Sequence, residues 1–203
     1  MSEVIDFTNC KRSYIPYGGS DQKFGVIYNG DVYRLKFADN HAKRSDVSTS
    51  YVNNVISEYI SSHIAKDIGL PAHETKLGTY DGKLVVACKD FKFKSNGHMV
   101  EFTDLMRAKY NSKEINKPLL LSQLYDTIES KENDLPKNLQ KEAIERYWDT
   151  FVLDALVGNF DRHPGNWGYI LKDNELTPAP VYDCGSTLFP NLSDDGMADL
   201  LHC

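Results

Sequence analysis

Three side chains in the second half of this sequence place oxygen ligands at informative spacing. Asp161 and Asn166 stand five residues apart in Gly158-Asn-Phe-Asp-Arg-His-Pro-Gly-Asn-Trp-Gly-Tyr-Ile170, across a loop broken by Pro164 and Gly165. Asp183 ends a short apolar run in Pro180-Val-Tyr-Asp-Cys-Gly185, with Gly185 two residues on to free the turn. A carboxylate can orient a hydroxyl for attack, and carboxylate and amide oxygens together can hold a hard cation such as Mg2+. Those are the groups that phosphoryl transfer asks of a protein, since the protein itself does little covalent chemistry in that reaction. Asp161, Asn166 and Asp183 supply them. The competing reading is two Asx-rich turns, because Asn, Asp, Gly and Pro favour turns without any ligand.

Kinases use an Asp and an Asn at this offset, followed by a metal-binding Asp with Gly two residues later. They also place a lysine on a strand to grip the α and β phosphates, steadied by a helix glutamate. Lys36, in Tyr33-Arg-Leu-Lys-Phe37, and Glu58, in the helix that follows, have the right order along the chain. Taken alone, a strand lysine is a solvated charge. By helical-wheel counting Glu58 lies off the apolar stripe, so a solvent-facing residue is the alternative there. Upstream, Gly18-Gly19 form a turn whose backbone N–H groups could approach phosphate closely, although the pattern is neither G-x-G-x-x-G nor a P-loop. Lys23, just beyond, reads equally as a phosphate contact or a surface charge.

These residues need elements to carry them. Phe24–Tyr28 and Asp31–Phe37 are β-rich runs joined by Asn29-Gly30, a hairpin signal. A polar loop spans 38–50. A helix fits residues 51 to about 68, with Val52, Val55, Ile56, Tyr59, Ile60, His63 and Ile64 at helical spacing and Gly69 and Pro71 as stop signals. Thr75–Tyr80 and Lys83–Ala87 flank Asp81-Gly82 as a second hairpin. This first part reads as a small antiparallel sheet with one helix. Helices are expected over Pro118–Ile128, with Pro118 in the first turn, and over Lys137–Val157. The latter shows a broad apolar face of Ala143, Ile144, Tyr147, Trp148, Phe151, Val152 and Ala155 and reads as a core helix. Short strands are expected at Trp167–Leu171 and Pro180–Tyr182. The fold class is α+β with two lobes, a β-rich N-lobe over 1–92 and an incomplete helical C-lobe over 93–203.

Composition narrows the classes. The chain has 203 residues, 41% hydrophobic and 26% charged, with net charge −6. The acidic balance argues against direct nucleic-acid binding through phosphate contacts. Cys10, Cys88, Cys184 and Cys203 form no C-x-x-C pair and no zinc spacing with a histidine, so they read as buried or inert thiols in a reducing compartment. The N-terminus has no signal-peptide pattern and no apolar run approaches a membrane span, which places the protein in the cytoplasm, an effector exported without a cleaved signal being the variant.

The sequence resembles the HipA-like toxin kinases, and within them the compact bacterial type. The resemblance rests on Asp161-Arg-His-Pro-Gly-Asn166, Val181-Tyr-Asp-Cys-Gly-Ser186, Tyr33-Arg-Leu-Lys-Phe37 and Ser57-Glu-Tyr-Ile60, and it runs from Asp6 to about Leu188. Val85-Val-Ala-Cys-Lys-Asp-Phe91 looks like the strand that enters the hinge between lobes. The resemblance implies a two-lobed Ser/Thr protein kinase that uses ATP and autophosphorylates. By motif, Asp161 is the catalytic base, Asn166 and Asp183 are metal ligands, and Lys36 is the ATP lysine. A protein substrate is implied, and an antitoxin or a complementing C-terminal chain as partner. Two departures stand out. The family's regulatory serine falls at Pro16 here, with Ser20 nearby. Members also continue for roughly a hundred helical residues past the metal aspartate, whereas 20 residues follow Asp183 here. The expectation is ATP binding with weak transfer by this chain alone. Two other functions stay open: a phosphoinositide kinase, to be recognised by a basic face around Lys89, Lys92 and Lys94, and a catalytically impaired module that binds nucleotide or a partner.

Overall fold

Turn chemistry sets the first hairpin. Asn29 and Gly30 both take the left-handed conformation that a two-residue hairpin turn requires, with φ of 51° and 79°. Asp81 and Gly82 repeat this in the second hairpin, with φ of 49° and 72°. The computed structural model describes residues 4–14, 23–38, 53–92, 97–115 and 118–192. Within these, β1 (Ile5–Asp6), β2 (Lys11–Ser13), β3 (Lys23–Tyr28), β4 (Asp31–Phe37), β5 (Thr75–Tyr80) and β6 (Lys83–Lys89) form one sheet, ordered β1-β5-β6-β4-β3-β2. The pairings are antiparallel except β1 with β5, so the sheet expected to be purely antiparallel is mixed at one edge.

The period of two assigns the faces. Val26, Tyr33, Leu35, Val85 and Ala87 pack around Phe7 on one side. Lys36, paired across β4 and β6 with Val86, points to the other side. There α1 (Asn54–Asp67) lies over the sheet, Val55 packing on Val86 and Cys88. The apolar wheel of α1 does not mark its buried side. Ser57, Glu58, Ser61, Ser62 and Ala65 are buried, whereas Ile60 is 40% exposed. The serines tolerate burial because their hydroxyls find partners: Ser61 Oγ lies 2.6 Å from Thr187 Oγ1 and Ser62 Oγ 2.6 Å from Thr75 Oγ1.

The second part begins with β7 (His98–Glu101), α2 (Phe102–Met106), α3 (Ser112–Ile115) and α4 (Leu121–Ile128). It continues through α5 (Lys137–Val157), a 3-10 turn at Pro164–Asn166, β8 (Gly168–Lys172) and β9 (Glu175–Pro178). Strands β7, β8 and β9 make a small antiparallel sheet. Phe102, Met106, Leu124, Ile128, Leu139, Ala143 and Tyr169 form the core beside it. No helix among the described residues is long and apolar enough to cross a membrane.

Several expectations shift. Pro118 precedes α4 rather than opening it; the helix starts where Gln123 Oε1 accepts the Leu120 N–H at 3.1 Å. Residues 180–182 form no strand but a single parallel bridge, Ala72 with Val181. The α5 limits agree, with Gly158 as a left-handed C-terminal cap, φ 63°. Its buried face does not. Leu139, Ala143, Thr150, Leu153, Asp154 and Val157 point inward, while Trp148, Phe151, Val152 and Leu156 are 39, 53, 62 and 65% exposed. The helix is turned because it must deliver a buried carboxylate, Asp154, to the loop that follows it.

Candidate active site

Lys36, Glu58 and Asp183 meet between the two lobes. Strand β4 aims Lys36 under α1, and Nζ lies 2.7 Å from Glu58 Oε2 and 2.5 Å from Asp183 Oδ1. Glu58, read from the sequence as equally a solvent-facing residue, is fully buried. Burial by itself would lower the lysine's pKa, but Glu58 and Asp183 outweigh it and hold the ammonium raised. Burial likewise pushes against the Glu58 carboxylate, yet Lys36, with His73 behind it, holds it well below the usual range. Lys36 is the main cause that lowers Asp183, against burial. All three groups are therefore charged at neutral pH.

Local backbone brings Asp183 to this point. Its φ is 58°, in the left-handed region that Asp tolerates better than most residues. Gly185 passes close to Glu58: a Cβ there would sit 3.3 Å from Glu58 Oε2, tighter than ordinary contact, so a side chain at that position would press on the carboxylate. Thr187 then anchors the segment to α1 through Ser61 and to itself by donating to the Cys184 carbonyl at 2.8 Å.

Asp161 and Asn166 lie in the neighbouring loop. Asp161 is exposed and Asn166 buried, its side-chain N–H donating to the Asp161 carbonyl at 3.1 Å. The loop hangs on Arg162, which the sequence reading passed over. Arg162 Nε and one terminal N–H donate to the two oxygens of Asp154 at 2.9 and 3.0 Å, a fork that only guanidinium makes. Its other terminal nitrogen donates to the carbonyls of Asn166 and Tyr182, each at 2.8 Å. One largely covered guanidinium thus ties α5, the Asp161–Asn166 loop and the residue before Asp183 together. Tyr182 adds a bond from its hydroxyl to the Gly165 carbonyl at 3.0 Å. The signal available in the sequence was Asp154, a carboxylate standing among the apolar positions of α5.

An open groove of about 1220 Å³ leads away from Asp161, lined by Glu101, Tyr147, Phe151, Phe160 and His163 among others. The amide oxygen of Asn166 and the carboxylate of Asp183 are the hard oxygen donors that suit Mg2+, and the Lys36 ammonium suits a phosphate, so the residues present fit a metal–nucleotide pair. Gly18 and Gly19 lie outside the described residues, as do Pro16, Ser20 and Lys94. Lys89 is engaged by Asp31 at 2.9 Å and Glu74 at 3.1 Å, which leaves little of the basic face that a lipid kinase would need. Cys88 and Cys184 are buried free thiols, as read from the sequence, and burial pushes each up to about 12. Glu58, His73 and Cys88, which have no metal-site spacing along the chain, place ligand atoms within 4.8 Å of one another.

A β-rich lobe and a mainly helical lobe, joined at a lysine–glutamate–aspartate contact, define a kinase-like fold, and the chain belongs to the family of HipA-like C-terminal domains, which it matches over residues 15–201. It is 39% identical to the serine/threonine-protein kinase CtkA of Helicobacter pylori, over 94% of this chain and 58% of that protein. The chain therefore spans well under two thirds of that relative's length. The crystal structure of the proinflammatory kinase CtkA from the same organism superposes with a TM-score of 0.84 at 35% identity, covering 99% of this chain and 67% of the other. HipA of Shewanella oneidensis, solved with HipB and operator DNA, shares the fold at a TM-score of 0.56 and 16% identity, over 86% of this chain and 44% of its own.

Proposed function

We propose that this chain is the nucleotide-binding and phosphoryl-transferring part of a Ser/Thr protein kinase that uses ATP with Mg2+, with residues 1–92 as the N-lobe and 93–203 as part of the C-lobe. The observation that carries this reading is Lys36 held between buried Glu58 and Asp183, at 2.7 and 2.5 Å. Lys36 binds and orients the nucleotide phosphates, and Glu58 keeps it in place. Asn166 and Asp183 would hold Mg2+, whose chemistry is to neutralise charge on the phosphates. Asp161, exposed beside the groove, accepts the proton of a substrate hydroxyl and aligns its oxygen on the γ-phosphorus. Gly18 and Gly19 offer backbone N–H groups to the phosphates. Autophosphorylation, a protein substrate, and an antitoxin or complementing chain belong to the same reading. The 39% identity to a Ser/Thr kinase favours protein over lipid as the acceptor.

The test is transfer of radiolabelled phosphate to the chain itself and to a generic protein. The wild type is expected to transfer weakly, and a helical segment equivalent to the remainder of the relatives to raise the rate. Asp161→Ala is expected to lower transfer by about a hundredfold or more while Mg-ATP affinity stays within about twofold. Transfer at full rate in Asp161→Ala would remove the assigned base.

A further inference from the structure

Glu58 has two carboxylate oxygens, and only Oε2 is accounted for by Lys36. Its Oε1 faces His73, whose Nε2 lies 3.0 Å away. Both side chains are buried, and among the described residues neither atom makes a well-aligned hydrogen bond, so the 3.0 Å approach sets two unsatisfied groups against each other. A buried carboxylate with one bare oxygen is costly, and a neutral imidazole N–H satisfies it without adding a second cation next to Lys36.

The backbone holds His73 where it can do this. The His73 N–H donates to the Val181 carbonyl at 2.9 Å, and the Val181 N–H donates to the Pro71 carbonyl at 2.8 Å. This is the parallel bridge of Ala72 with Val181. The same short pairing therefore sets His73 against Glu58 and, two residues beyond Val181, Asp183 against Lys36. With nucleotide and cation bound, Lys36 would engage phosphate and Asp183 would serve the cation, which would leave Glu58 as the ammonium's remaining carboxylate and make its rotamer matter most.

We propose that His73 is a positioning residue for nucleotide binding: in its Nε2–H form it fixes Glu58 Oε1, so that Oε2 stays on Lys36 while Asp183 turns to the metal. The proposal rests on the kinase reading of the site. It extends that reading to a residue outside every motif noted in the sequence.

The experiment compares wild type, His73→Phe and His73→Gln for binding of Mg-ATP and of adenosine by calorimetry, with circular dichroism to check the fold. Phe keeps the volume and removes the donor, whereas the Gln amide N–H can stand where Nε2–H stood. His73→Phe is expected to weaken Mg-ATP about tenfold or more, the worth of a hydrogen bond to a charged group, with adenosine within about twofold. His73→Gln is expected to bind Mg-ATP within about threefold of wild type. Equal losses for Mg-ATP and adenosine, or no loss in His73→Phe, or no recovery in a folded His73→Gln, would each overturn it. Nitrogen NMR of the wild-type imidazole decides the same point without any variant: the neutral Nε2–H tautomer is expected, and Nδ1–H with bare Nε2 overturns the proposal. Zn2+ binding that excludes Mg-ATP and is lost in Cys88→Ser would also overturn it, making Glu58, His73 and Cys88 metal ligands. If the wild type prefers Mg-ATP no more than adenosine, the kinase reading fails, and the tautomer still decides the His73–Glu58 contact.

Discussion

The two halves of the candidate site are built differently. Around Lys36, charged groups are closely paired: Glu58 is fully enclosed, Lys36 is largely covered, and Asp183, its side chain 41% exposed, completes the contact. Around Asp161, the side chain is exposed, a groove opens beside it, and the adjacent helix shows solvent Phe151, Val152 and Leu156. The Lys36 side is held together by contacts among the described residues. The Asp161 side is an open surface whose loop is tied chiefly by the largely covered Arg162, with Tyr182 adding one bond. On the kinase reading proposed above, that division would set a preorganised Lys36–Glu58–Asp183 contact against an open face beside Asp161.

Removing Arg162 is the strongest way to break this comparison. Arg162→Ala leaves Asp154 buried without its partner, and breaking a buried pair costs about 3–5 kcal/mol. For a chain of this size that corresponds to a melting temperature lower by about 10 °C. Arg162→Lys is expected to recover only part of this, because an ammonium cannot make the fork to Asp154 and still reach two carbonyls. A thermal shift under about 2 °C for Arg162→Ala would mean that the loop stands without it.

The next effect sharpens the other half. Mg-ATP at a hundredfold its Kd is expected to stabilise the wild type by about 2.7 kcal/mol, and Asp183→Asn to lose the part of that shift that depends on magnesium. Scanning fluorimetry with and without Mg2+ separates the two. An equal loss in both conditions would take Asp183 out of the metal's coordination.

The face of each helix was the least legible part of the sequence. In α1 and α5 the apolar wheel pointed to one side and the structure buried another. The reason is the same in both: each helix turns inward the side that bears a carboxylate, Glu58 or Asp154, together with small or hydroxyl side chains that find partners. Periodicity counts hydrophobic residues and cannot see a buried charge whose partner lies off the helix, as Lys36 does for Glu58 and Arg162 for Asp154. The hairpins at Asn29-Gly30 and Asp81-Gly82 were legible because their signal is local. The β8–β9 turn was missed since Asp173 and Asn174 take φ of 48° and 65° without any glycine to announce it. The strand lysine, Glu58 and Asp183, by contrast, were named from order along the chain, and the structure brings them together; Asp161 and Asn166 sit in one adjoining loop. His73 escaped because nothing in its spacing ties it to those motifs; Arg162 stands inside Asp161-Arg-His-Pro-Gly-Asn166, but its partner Asp154 lies outside that run and gave it no role.

The smallest expected effect probes the outer face of α5. Leu156→Gln, at a position 65% exposed, is expected to change stability by less than about 0.5 kcal/mol in the chain as it stands. A drop of several degrees in melting temperature would show that this face is covered in solution and would erase the contrast between the two halves.

The left-handed backbone at Asp183 has a bearing on which replacements a lineage or an experimenter can make there. Asn visits that conformation nearly as readily as Asp, so Asp183→Asn changes chemistry while leaving the chain's path alone. Glu keeps the charge but pays for the conformation by roughly 1 kcal/mol and lengthens the reach toward Lys36. The substitution that conserves charge is therefore the more disruptive of the two, and a silenced relative of this protein is expected to carry Asn, not Glu, at this position.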